Sequence, residues 1–113
     1  MIKIYHNPRC SKSREGLAIL QESGQDFQIV KYLNQPLREE EIKDLLKALG
    51  CDPIDLVRTN EKIWKEEFKG KELSKDQIIK AMHDNPKLIQ RPIVMQKDKA
   101  IIARPPEKIK EFL

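Results

Sequence analysis

The sequence has only two cysteines, Cys10 and Cys51. That excludes the dense disulfide framework of a small secreted domain and fits a reducing compartment. There are only two histidines as well, and His83 and Cys51 fall in separate segments, so the ligand set for a zinc site is lacking and no metal is expected. No apolar run approaches the length of a bilayer span and mean hydropathy is −0.64; no membrane segment is expected. Met1-Ile2-Lys3-Ile4-Tyr5 has neither the apolar core nor the small-residue cleavage site of a signal peptide. It reads as the start of the fold, and the protein is expected in the cytoplasm. Aromatic residues are scarce at 5%, with no stacking pair, basic helix or recognised motif for nucleic acid. The net charge of +4 arises from 22 basic residues interleaved with 18 acidic ones, a mixed solvated surface, so no nucleic acid is expected as a partner.

What is present suits one compact core, a single domain over 1–113. Residues 2–5 and 27–33 read as strands, and the Leu17 to Leu20 stretch between them reads as a helix that Gly24 ends, a βαβ beginning. The middle, about 36–86, reads as consecutive helices. Pro36 and Glu39-Glu40-Glu41 open one that Gly50 stops. Asp52-Pro53 opens a short turn, Asn60 caps a helix over 61–69, and Ser74-Lys75-Asp76-Gln77 is a capping box for another that Asn85-Pro86 ends. Ile93-Val94-Met95 and Ala100-Ile101-Ile102-Ala103 flank a polar tip as a hairpin, and Pro105-Pro106 starts a last helix through Leu113. The order implies an α/β fold, a mixed four-stranded sheet covered by helices, with Trp64 as a packing residue.

In His6-Asn7-Pro8-Arg9-Cys10-Ser11-Lys12-Ser13-Arg14 the thiol lies between the first strand and the first helix, at the C-terminal edge of the parallel pair. There a helix N-terminus, with Arg9, Lys12 and Arg14 nearby, stabilises an anion on sulfur and can hold an oxyanion. The bland reading of Cys10 is a small buried hydrophobe; three cations and two hydroxyls within four residues speak against it. Ser13 stands where a Cys-x-x-Cys redox pair has its second sulfur, so no resolving thiol is at hand. The next arginine is four positions after Cys10 rather than six, which excludes the tyrosine phosphatase loop. Cys51 lacks a basic cluster and reads as filler. His6 is a general base, an electrostatic partner of the thiolate or a strand-end hydrogen-bonding residue. Arg91, before the third strand, and Arg104, after the fourth, are surface charges or converge on the Cys10 loop, where guanidinium donors match a tetrahedral oxyanion. Arg58 is the third candidate.

Taken in order, Tyr5 to Cys10 with Ser13-Arg14, Tyr32-Leu33 with Pro36, Leu56-Val57-Arg58, Asn85-Pro86, Arg91-Pro92-Ile93-Val94 and Arg104-Pro105 give a chain that resembles the glutaredoxin-linked arsenate reductase family along nearly its whole length. The resemblance implies a thioredoxin-like fold with an inserted helical region and a cis peptide before Pro92. It implies Cys10 as nucleophile assisted by His6, Ser13 and Arg14, with Arg58, Arg91 and Arg104 binding the substrate. By the same resemblance the Cys10 thiolate attacks arsenate or another oxyanion and water leaves. Glutathione, a cosubstrate rather than a bound cofactor, attacks the adduct, glutaredoxin reduces the mixed disulfide, and arsenite departs. The protein is expected to be a monomer. Cys10-Ser11-Lys12-Ser13-Arg14 differs from the Cys-Gly-Thr-Ser-Arg of arsenic-resistance members and the chain is shorter, which resembles the housekeeping branch. Ser13 departs from the Cys-x-x-Cys of the related regulators that bind RNA polymerase. Two alternatives stay open: a thiol-based reductase of another substrate, and a non-catalytic regulatory domain that binds a protein through its charged helical face.

Overall fold

The computed structural model describes residues 1–113. Four short strands form one sheet: β1 (Ile2–Tyr5), β2 (Phe27–Val30), β3 (Ile93–Gln96) and β4 (Lys99–Ile102), in the order β2-β1-β3-β4. β1 runs parallel to β2, with Ile2 opposite Phe27 and Tyr5 opposite Val30, and antiparallel to β3, with Tyr5 opposite Ile93. The mixed sheet is therefore as expected. The second strand is shorter than the apolar run suggested: it stops at Val30, and Tyr32, only 1% exposed, is buried from a turn instead. The hairpin keeps just Lys97 and Asp98 as its tip, and Lys97 takes the positive φ of 58° that a two-residue turn requires.

Helix α1 (Ser11–Glu22) crosses between β1 and β2, and α5 (Lys108–Phe112) closes the chain. Ile2, Ile4, Leu20, Val94, Ala103 and Ile109 form the buried cluster between sheet and helices. Each of the Ile, Leu and Val side chains contributes about 1.5–3 kcal/mol on leaving water. Gly16 faces this cluster. A Cβ there would stand 3.1 Å from Pro92 Cγ and 3.2 Å from Ile109 Cδ1, so the missing methyl lets the Arg91-Pro92 segment lie against α1. The Arg91-Pro92 peptide is cis, as the resemblance implied; Arg104-Pro105 is cis as well, which the sequence did not indicate.

The strands, α1 and α5 make up one compact unit, residues 1–35 and 91–113, and residues 36–90 make up a second. The helical insertion thus runs four residues past the expected end. The reason is local: an isolated bridge joins Val57 to Ile89, and Gln90 N–H donates to Leu56 O at 2.9 Å. The second unit holds α2 (Glu39–Leu49), a 3-10 turn (Pro53–Leu56), α3 (Lys62–Glu67), α4 (Lys75–Asp84) and a second 3-10 turn (Pro86–Leu88). Gly50 ends α2 at φ 68°, and Ser74 and Gln77 exchange both bonds of the expected capping box. α3 begins later than Asn60 suggested. Its N-cap is Glu61, whose side chain makes no capping bond because it faces Arg58. Trp64 is buried and stacks on Phe68, as expected of a packing residue. No helix is long and apolar enough to cross a membrane.

Candidate active site

The loop from β1 to α1 is held by hydrogen bonds within itself and to the first turn of α1. Asn7-Pro8-Arg9-Cys10 is a β-turn closed by Cys10 N–H to Asn7 O at 3.0 Å, and the Asn7 side chain accepts from Arg9 N–H at 3.0 Å. Such an Asx turn is the local preference of asparagine. Cys10 is then the N-cap of α1. It has extended φ and ψ of −96° and 123°, its carbonyl takes the first helical bond from Arg14, and its side chain makes no capping bond. The half-buried sulfur therefore stands at the end of a twelve-residue helix whose first-turn N–H groups point outward.

His6, Ser13 and Arg14 gather around this turn. Ser13 is fully buried; its Oγ accepts from Asn7 N–H at 3.0 Å and lies 2.7 Å from His6 Nδ1. Burial, above all, and then the Arg14 guanidinium hold His6 below its ordinary value; a hydrogen bond to the Ser13 backbone opposes this, and Lys31 lowers it further. Ser13 and His6 thus engage each other and the loop backbone. Arg14 donates from Nη1 to Pro8 O at 2.8 Å. Lys12 is drawn toward Glu15, 3.5 Å away, so its charge is shared with a carboxylate.

Arg91 and Arg104 are brought together in the same unit. Arg104 Nη1 donates to Arg91 O at 3.2 Å, and Ala103 N–H donates to Pro92 O at 2.8 Å. Because Pro92 packs on Gly16, this pair of segments lies along α1. Arg91 Nε is buried without a hydrogen-bond partner. Arg58 belongs to the other unit, where its guanidinium pairs with Glu61. Cys51 also belongs there, half-buried, with its thiol pushed up by burial and by Asp55 and Asp52. No three His, Cys, Asp or Glu side chains are grouped to hold a metal ion. Sequence reasoning missed two residues. Asn7 was visible as an Asn-Pro turn former, whereas nothing marked Glu61 apart from its i,i+3 spacing to Arg58.

Comparison with known proteins places these features in a lineage. The sequence profile of the ArsC family matches residues 5–112. An arsenate reductase of Neisseria meningitidis is 40% identical over 99% of this chain and 97% of its own length. The uncharacterized protein YfgD of Escherichia coli K12 is 47% identical over 99% of this chain and 96% of its own. The structure of an arsenate reductase from Vibrio cholerae superimposes with a TM-score of 0.94 at 44% identity, covering 99% of this chain and 97% of that one.

Proposed function

This chain belongs to the ArsC family, and from that membership we propose that it reduces arsenate to arsenite with Cys10 as nucleophile, glutathione as cosubstrate and a glutaredoxin as partner. The observation that carries the reading is Cys10 as an uncapped N-cap on a turn fixed by Asn7, Ser13, His6 and Arg14. A sulfur held there gains from the helix amides as a thiolate, and the same amides suit an anionic substrate.

The steps balance as a two-electron reduction. The Cys10 thiolate forms a bond to arsenic and one arsenate oxygen leaves as water. The thiol of glutathione then attacks the Cys10 sulfur. The electron pair of the sulfur–arsenic bond passes to arsenic, which departs as arsenite, and Cys10 is left in a mixed disulfide with glutathione. A glutaredoxin thiol removes the glutathione and restores Cys10. An outside thiol is needed because Ser13 cannot resolve a disulfide. Arg91 and Arg104 bind the oxyanion with planar donors; Arg58 joins them on the strength of the family resemblance. The required thiol pool is that of a reducing cytoplasm, where we place the protein.

The test is arsenate-dependent NADPH oxidation with glutathione, glutaredoxin and glutathione reductase. Turnover that disappears in Cys10→Ser is expected. Turnover no higher than that of the variant sinks the arsenate assignment.

A further inference from the structure

Arg58 is not an open anion receptor. Its backbone is fixed by Arg58 N–H to Leu88 O, and its neighbour Val57 by the bridge to Ile89 and by Gln90 Nε2 to Val57 O at 3.1 Å. The segment cannot shift, so only the side chain can change partner. That side chain is already engaged: the turn closed by Glu61 N–H to Arg58 O at 3.1 Å sets the Glu61 carboxylate on the guanidinium. The two side chains are 24% and 26% exposed, open enough for a small anion to reach them and buried enough that water screens the pair only in part. Glu61 has no competing structural duty at α3, since its side chain makes no capping bond.

We propose that Glu61 is a built-in competitor for the oxyanion at Arg58, a specificity-determining residue that an incoming substrate must displace. The inference rests on the assignment of Arg58 to oxyanion binding. A carboxylate offers the guanidinium two oxygens, much as one edge of a tetrahedral oxyanion does, and the two ligands exclude each other. An anion of weak charge does not pay for that exchange. A doubly charged oxyanion gains more from the guanidinium than the Glu61 carboxylate does, so the pair raises KM for every anion and penalises singly charged ones most.

Calorimetry with arsenate and with sulfate, together with steady-state kinetics, tests this on Glu61→Gln, Arg58→Ala and the double variant. Glu61→Gln is expected to tighten both anions and lower KM about fivefold, the scale of a partly screened ion pair, with kcat nearly unchanged. In the Arg58→Ala background the same change is expected to do nothing. A Glu61→Gln variant that melts like the wild type yet binds anions more weakly shows that Glu61 orients Arg58 instead, and overturns the proposal. So does an equal effect of Glu61→Gln with and without Arg58. Arg58→Ala with unchanged anion affinity removes Arg58 from the site and the proposal with it, while turnover dependent on Cys10 would leave the reductase reading standing. Should Glu61→Gln unfold, Glu61→Ala in the same cycle carries the test.

Discussion

Ser13 Oγ lies 2.7 Å from His6 Nδ1 and links the end of β1 to the first turn of α1 across the loop that carries Cys10. Both side chains are buried, so the contact is closed to water. Replacing Ser13 by Ala strands the Asn7 N–H and leaves His6 Nδ1 without its hydrogen-bond partner. A loss of about 1–3 kcal/mol in unfolding free energy is expected, the cost of buried polar groups left unpaired. Urea denaturation of wild type and variant measures it; a change under a few tenths of a kcal/mol would mean the bond is not a lock.

His6 sits below the ordinary histidine value of 6.5 because it is buried beside Arg14. The unfolded chain therefore binds more protons than the folded one between the lowered value and 6.5. Stability from this residue is complete above 6.5 and falls as pH drops beneath it. Unfolding free energy followed from neutral to mildly acid pH should decline more steeply in wild type than in His6→Gln. Parallel curves for the two proteins would show that His6 takes up its proton alike in the folded and unfolded chains.

Cys10 and Cys51 differ in setting although both are half-buried. The Cys51 thiol is pushed above its usual value of 9.0 by burial and by Asp55 and Asp52, whereas Cys10 stands at a helix end with no acid in the first turn. Near neutral pH, iodoacetamide should label Cys10 well before Cys51, as read by peptide mapping. Equal rates in the folded protein would remove the assigned nucleophile.

Arg91→Ala and Arg104→Ala should each weaken arsenate or sulfate by roughly 1.5–3 kcal/mol, the scale of a charged hydrogen bond, with a lysine restoring only part. Since Arg104 Nη1 donates to Arg91 O, removing Arg104 also frees the Arg91 backbone, and the double variant should lose less than the two single losses added together. Calorimetry at fixed salt decides; unchanged affinity in both single variants would make these surface charges.

Much of the fold was legible because local signals and tertiary structure agree. Gly50 stops α2 through its backbone and Ser74 caps α4 through its hydroxyl, and neither needs a distant partner. Where distant partners decide, the sequence fell short. Tyr32 looked like strand because it is apolar and aromatic, but its burial comes from a turn. Asn60 is the better capping residue, yet Glu61 holds the N-cap position because the turn from Arg58 sets the helix start. The site shows the same split. Cys10 at a strand-to-helix junction was readable from pattern, and so were the places of Arg91 before β3 and Arg104 after β4. The bond from His6 to Ser13 and the engagement of Arg58 by Glu61 were not, since each depends on how a loop closes.

β1 lies in the middle of the sheet, between β2, which follows it closely in the chain, and β3, whose Ile93 pairs with Tyr5. A ribosome releasing this chain delivers Cys10 long before β3, the strand that completes the support of β1. Until then β1 and β2 are a two-stranded ribbon with both edges bare, a species with little stability of its own. Closing β1 on β3 means bringing together residues far apart in the sequence, the slow kind of contact to form. The setting of Cys10 is therefore complete only when the hairpin arrives.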